Sequence, residues 1–540
     1  MGVLKSASSM SAGVFLSRIL GLVREQVFAY FFGASHAADA FQIAFRIPNL
    51  LRDLLAEGAM NSALVPTYVQ YRESEGKRRA WQVAGRVFRA LFVITLFCVG
   101  FGLFFTESLV SLYAAAYQDV PGKFELTQNL TKILFFFLPF VTLAAAFMGI
   151  LNANGVYFIP AFASAAFNAT SILTGVAFIF LVPQWGYPPI VGMALGMVVG
   201  GLVQALVQIP SLKKVGYAYP PKQTSDPPWH HDPALKRMLF LILPGLVGLA
   251  ATQINILVNS ILATGEGEGA VAWLNYAFRL MQFPIGVFGV SLAAAFLPLM
   301  SEAWVKRKPK ELKSNLEKSI ISALAINLPA AAGLGFLSVP IIQLIFEYGE
   351  FSHSDTEATA LALSAYCLGL PFYSLVKILV PLCYAFERTR FAVGASVLSV
   401  ALNVALNFWL IDLVGYWGLA LGTSITAFIQ ALILFLFVHH LVVSSWLSDL
   451  VGRVARKFML HLSIALGMGL VCYWTWKEII LPFGFSYFSE WGVLCRVFSV
   501  GLLVVEGVLV VYLVARLVGI SETLEFFHLI RRKATEKPSP

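Results

Sequence analysis

The sequence predicts an all-α integral membrane protein with about 14 transmembrane helices, in two pseudo-symmetric six-helix lobes followed by two extra C-terminal helices. Three observations lead there. Of 540 residues, 58% are hydrophobic and 12% charged, against about 45–50% and about 25% in soluble globular domains. Apolar windows of about 20 residues, the length that spans a bilayer, recur along the chain between polar or Gly/Pro breaks. Two segments roughly 232 residues apart resemble each other.

The first window, near 13–33, contains Arg18 and Arg24 and no small-residue cleavage site follows it, so it reads as a retained span rather than a signal peptide. The Met-Gly start suggests myristoylation, but a lipid anchor adds nothing to a chain with many spans. Further windows lie near 40–69, 84–107, 130–152, 158–182 and 187–210. A second group lies near 237–263, 270–303, 315–346, 357–385, 390–412, 416–440, 453–477 and 491–517. The resulting division is an N-lobe (1–212), a cytoplasmic linker (213–236), a C-lobe (237–441), an added helix pair (442–518) and a cytoplasmic tail (519–540).

With the amino terminus cytoplasmic, the loops after even-numbered spans hold the basic residues, among them Arg78 and Arg79, Lys213 and Lys214, and Arg307 and Lys308. Loops after odd-numbered spans are nearly free of base, with Lys123 and Lys132 the main exceptions. The positive-inside rule then places both termini in the cytoplasm. The same bias accounts for the net charge of +9, so a nucleic-acid partner is unnecessary. The five cysteines (Cys98, Cys367, Cys383, Cys472, Cys495) are scattered through apolar stretches without metal-ligand spacing and read as small buried residues rather than disulfide or metal ligands.

The repeat pairs AFRIPNLLRDLLAEGAMNSALVPTY (44–68) with AFRLMQFPIGVFGVSLAAAFLPLM (277–300). Both open on Ala-Phe-Arg and place a later proline about six turns on. Six spans per repeat is an even number, so the two units share orientation about an axis along the membrane normal, and a substrate path between two lobes is expected.

Ionisable residues at membrane depth cost a few kcal/mol on insertion scales and usually mark a polar interior. Arg18 and Arg24 are six residues apart, roughly 120° around the helix. Arg18 is near a span end, where snorkelling is open to it, whereas Arg24 is near mid-span. Arg46, Asn49, Asp53, Glu57 and Asn61 recur every three or four residues and form one polar stripe, with Arg52 beside it and Pro48 within it. Arg-carboxylate pairing is the expectation for Asp53 and Glu57. Arg279 has no acid within a helical turn, and Lys377 stands alone in its span, with structural and functional readings both open for it. A lining of Arg18, Arg24, Arg52 and Arg279 attracts anions, and guanidinium forks suit phosphate oxygens; a cationic drug is repelled. No P-loop and no metal-spaced histidine set occurs.

At these positions the chain resembles a known family. SRILGLVRE (17–25), ADAFQIAFRIPNLLRDLLAEGA (38–59), LNANGVYFIPAFASAAFN (151–168), YAFRLMQFPIGVFGVSLAAAFLP (276–298) and FEYGEF (346–351) are similar to the lipid II flippase family, MurJ (also called MviN), over nearly the whole chain. The resemblance implies a multi-pass transporter of the bacterial inner membrane, within the multidrug/oligosaccharidyl-lipid/polysaccharide exporter superfamily. It implies movement of undecaprenyl-pyrophosphate-linked peptidoglycan precursor to the periplasmic leaflet, with no enzymatic step. Matching the family's essential cavity arginines are Arg18, Arg24, Arg52 and Arg279, and its important acids are matched by Asp39 and Glu57. Phe278 departs from relatives that place an acid before the arginine. Some relatives bind sodium with side chains on spans 7, 11 and 12, where Asn255, Asn403, Asn407 and Thr423 stand here; amides replace the expected carboxylate, so sodium coupling is doubtful and membrane-potential drive stays open. Alternating access is the implied mechanism, with no cofactor, the lipid tail along spans 13 and 14, and cell-wall synthesis machinery as a further partner. The rivals are a flippase for another polyprenyl-pyrophosphate glycan, a membrane-embedded glycosyltransferase or phosphatase, and a scaffold.

Overall fold

The computed structural model describes residues 2–58, 63–217, 232–443, 449–484, 492–520 and 523–524, and among these it is helical with turns. Arg531, Arg532 and Lys533 of the tail, Asn61, and the linker bases at 222 and around it lie outside the described residues. The chain separates into two compact units, residues 1–272 and 273–540.

The first unit contains α1 (Gly2–Phe32), α2 (His36–Arg52), a π-helical segment (Asp53–Gly58), α3 (Val65–Ser74), α4 (Gly76–Phe104), α5 (Thr106–Ala114) and α6 (Lys123–Phe135). It continues through α7 (Phe137–Ala153), α8 (Phe158–Leu181), α9 (Ile190–Leu206), α10 (Ile209–Lys214) and α11 (Pro233–Thr264). α12 (Ala270–Pro284) begins in this unit and passes into the second, which continues through a π-helical segment (Ile285–Gly289), α13 (Val290–Val305), α14 (Pro309–Phe336), α15 (Ser338–Ile345) and α16 (His353–Ala385). It ends with α17 (Thr389–Val414), α18 (Trp417–Val443), α19 (Asp449–Trp474), a third π-helical segment (Thr475–Ile480), α20 (Leu481–Gly484) and α21 (Gly492–Val518).

Among the described residues, 11 helices are long and apolar enough to cross a membrane. They match expected spans 3 to 6 and 8 to 14. Expected span 2 is split by the π segment after Arg52 and is dense in charge, so it does not stand out by length and apolarity. Spans 1 and 7 correspond to α1 and α11, helices of 31 and 32 residues.

The repeat reappears as backbone geometry. α2 and α12 each run into a π-helical segment, and the two segments start at Asp53 and Ile285, within one residue of the offset of the sequence repeat. Widened turns of this kind interrupt the i to i+4 ladder and cluster at functional positions. In the first unit, α9 lies close against α8 because its glycines recur every four residues: a Cβ at Gly192, Gly196 or Gly200 would come within 2.5, 2.6 and 2.1 Å of α8 atoms. In the second unit, Leu324, Leu379, Leu382 and Leu434 from α14, α16 and α18 share one core.

Packing places α11 with the first compact unit, and the division between the units falls inside α12. The physical reason is polar. Asp232, fully buried, caps α11 by accepting from the Ala234 N–H at 2.9 Å, and it is gripped from α4 by Arg86 and by Arg79 at 3.0 Å. Burial alone raises this carboxyl, but the Ala234 N–H and the two guanidinium groups outweigh it and hold Asp232 below the ordinary aspartate value of 3.8. A folded-state value below the unfolded one stabilises the fold above the unfolded value and loses that contribution as pH falls through the folded one. The expected result is that wild type unfolds at higher temperature than Asp232→Asn at neutral pH, and that the gap narrows below about pH 4; a gap independent of pH would count against the pairing.

Candidate functional site

The candidate residues lie on α1 and α2 in the first unit and on the part of α12 that belongs to the second, and each group is described within its own unit. Arg24 sits deep on α1, its side chain 11% exposed. Its Nη2 donates to Glu25 Oε1 at 2.9 Å, its Nη1 to Asn168 Oδ1 of α8 at 3.2 Å, and its guanidinium lies over the Phe167 ring at 5.6 Å. Asn168 in turn donates to the Ser17 carbonyl at 3.1 Å, locking α1 to α8. Arg18, nearly two turns earlier, is exposed and has no hydrogen bond or ion pair among the described residues.

On α2, Arg52 Nε donates to Asp53 Oδ1 at 3.0 Å. The other oxygen of Asp53 accepts from Gln253 of α11 at 3.1 Å and from Asn49 at 3.5 Å, the expected one-turn spacing of the polar stripe. Arg46 is half-buried on the same helix. The Glu57 side chain lies outside the described residues. Arg24 and Arg52 thus each have a carboxylate on the next residue, which offsets their charge while leaving some of the five N–H donors of each guanidinium for an anion.

Asp39 does different work from the arginines. It is fully buried and takes a hydrogen bond from Lys123 Nζ at 3.0 Å, while the backbone N–H groups of Gly269 and Ala272 donate to it at 2.9 and 3.0 Å. Lys123 also stands 4.0 Å from the centre of the Tyr117 ring. The carboxylate therefore caps the start of α12, where unsatisfied N–H groups gather. The base that breaks the loop-charge pattern is a buried ion-pair partner, and so it carries no topological information.

In the second unit, Arg279 lies two and a half turns into α12 with its side chain exposed. Lys377, in the C-terminal third of α16, is also exposed and has no hydrogen bond or ion pair among the described residues. The start of α12 here is held by the 346–355 region. Trp273 Nε1 donates to Asp355 at 2.9 Å, and Tyr276 packs on Phe346 and Phe351 at 4.9 and 5.5 Å between ring centres. The FEYGEF motif is thereby explained as the support of the Arg279 helix.

Of the four ion-site residues expected from sequence, the structure brings three together. Asn407 donates to Asn403 Oδ1 at 2.8 Å, and Asn403 donates to Thr426 at 3.3 Å and Thr423 at 3.5 Å, all buried where α17 meets α18. The cluster is neutral, and its members bond to one another. Asn255 lies on α11 in the first unit. Sequence reasoning passed over Glu25, Asn168 and Gln253; each is a polar residue inside an apolar window, a signal readable in principle.

Helices of membrane-crossing length, a repeated π-interrupted helix and arginines at span depth define the class: a multi-pass helical transporter fold. A multidrug-resistance transporter of the MATE family in its inward-facing form shares that fold, with a TM-score of 0.68 at 17% identity over 79% of this chain and 95% of its own. The family model described as "Lipid II flippase MurJ" matches residues 28–491. A probable lipid II flippase MurJ of Vibrio cholerae is 34% identical over 444 residues, 81% of this chain and 83% of its own. A lipid II flippase MurJ of Burkholderia cenocepacia is 32% identical over 436 residues, 81% of this chain and 84% of its own. A solved structure of lipid II flippase MurJ, in an inward closed conformation, superposes with a TM-score of 0.74 at 27% identity, covering 94% of this chain and 98% of that one. The chain belongs to the lipid II flippase MurJ family.

Proposed function

We propose that this protein moves lipid II, the undecaprenyl-pyrophosphate-linked disaccharide-pentapeptide, from the cytoplasmic to the outer leaflet of the bacterial inner membrane by alternating access. The observation that carries the reading is the set of arginines on long helices, Arg18, Arg24, Arg52 and Arg279, in a chain of the lipid II flippase MurJ family. Arg24 and Arg52 are held in place by Glu25, Asn168 and Asp53, so their remaining donors are preorganised for pyrophosphate oxygens. Asp39, Arg46, Asn49, Asp53 and Glu57 form the supporting polar network. Both termini face the cytoplasm. Drive comes from the membrane potential or an ion gradient, and the neutral Asn403, Asn407 and Thr423 cluster favours the former, because no carboxylate compensates a bound cation there.

The prenyl tail stays in the lipid against the second unit. An apolar cavity of about 570 Å³ opens there, with walls from α14, α16, α18 and α19, including Leu328, Phe336, Leu368, Phe372, Phe428 and Leu462. It supports a tail path along α19, one member of the added helix pair. The test is the leaflet distribution of lipid II in depleted cells, read with an externally added probe that cleaves only outward-facing precursor. Cleavage that falls on depletion and returns with wild type supports the reading. Cleavage unchanged on depletion, with no competing flippase present, transfers the assignment to another polyprenyl-pyrophosphate glycan.

A further inference from the structure

α21 lies outside the residues matched by the family, and it holds a carboxyl that the arginine site leaves unused. Glu506 is ten residues after Arg496 and ten before Arg516, about 15 Å along the helix from each. Arg496 is engaged at its own end of the helix, donating to the Gln343 and Glu347 carbonyls at 3.0 Å each. At Glu506 the only hydrogen bond among the described residues comes from Thr475, whose Oγ1 donates to Oε1 at 2.8 Å. The second oxygen, Oε2, is buried and has no hydrogen-bond partner among the described residues.

Among the described residues, no positively charged group bonds to this carboxyl. From α19, Cys472 faces the same seam, its thiol directed to the Leu503 carbonyl at 3.6 Å, and Met468 packs with it beside Gly507. Leu337 and Ile341, at the end of α14 and on α15, complete an apolar cluster with Trp476 and Leu503. Lys477 and Glu478 lie on the π segment that starts at Thr475, but both are exposed and neither forms a hydrogen bond or ion pair among the described residues. A carboxylate with one hydroxyl donor and no cation is poorly compensated at membrane depth. Adding a proton removes the charge and turns the orphan oxygen into a donor.

We propose that Glu506 is a proton-binding site inside the membrane, built by the α19–α21 pair, with the Thr475 hydroxyl orienting the carboxyl. The reaction is addition of one proton to one carboxylate oxygen and needs no other reactant. Infrared difference spectra of the full-length protein in lipid nanodiscs, wild type against Glu506→Gln, test it at neutral pH. The expected band is the C=O stretch of a neutral carboxylic acid, moving on exchange into D2O; a carboxylate stretch in its place overturns the proposal. Should the variant fail to fold, wild type treated with dicyclohexylcarbodiimide and mapped by peptide mass spectrometry serves instead. That apolar reagent adds across a protonated carboxyl to leave an N-acylurea. Modification at Glu506 by it and not by a water-soluble carbodiimide is the expected result. Equal modification by both reagents, or by neither, overturns the proposal.

Discussion

The expected result of Arg279→Ala is loss of most lipid II movement, with membrane insertion and thermal stability near wild type. The expectation of intact folding follows from exposure: the side chain is exposed on α12, and the start of that helix is held by Trp273, Tyr276 and the 346–355 region. The expectation of lost transport follows from charge-assisted bonds to pyrophosphate, each worth roughly 1.5–3 kcal/mol, or about one to two orders of magnitude in binding. Arg24→Ala is the informative contrast. It removes the partner of Glu25, which is 6% exposed, and the link to Asn168, so it lowers stability as well as transport. Leaflet assays and unfolding midpoints on the two variants together separate the roles. Equal stability losses, or full transport by Arg279→Ala, would remove Arg279 from the site.

The second large effect is expected at Asp39. Asp39→Ala strands the buried Lys123 ammonium and uncaps the Gly269 and Ala272 N–H groups. Removing one partner of a buried pair costs about 3–5 kcal/mol. Asp39→Asn keeps an acceptor for the backbone but still strands the lysine, so it falls between wild type and Asp39→Ala. Pairing Asp39→Asn with Lys123→Met recovers much of the loss, because a buried ion pair can often be replaced by apolar volume at little cost. Unfolding in detergent measures the coupling. Strictly additive losses would show that the two groups do not depend on one another.

Much of this was legible before any coordinates. Window hydropathy gives the spans that became α4, α6 to α9, α12 to α14, α16 to α19 and α21, and the Ala-Phe-Arg repeat falls on two helices that each run into a π-helical segment. Arg24, Arg52 and Arg279 were legible as polar residues in apolar windows. Their partners were not, because Arg24 meets Asn168 across 144 positions and Asp53 meets Gln253 across 200. Lys123 stood out as an exception to the loop-charge pattern without an explanation for the same reason, since its acid is 84 positions away. Glu506 sits in the middle of an apolar window and was visible there, but only Thr475, 31 positions earlier, shows what it bonds to.

By itself the sequence determined that the chain is a multi-pass helical membrane protein with an internal repeat and cationic groups at span depth. These follow from local sums: apolar length, spacing of three or four residues, and charge per loop. The tertiary structure alone decided which charges are satisfied. It joined Arg24 to Asn168, set Asp39 as the cap of α12, closed the Asn403 and Asn407 amides on each other, and bound α11 to the first unit through Asp232. Pairing depends on which helix faces meet, and that is a property of packing over the whole chain, which no window of sequence contains.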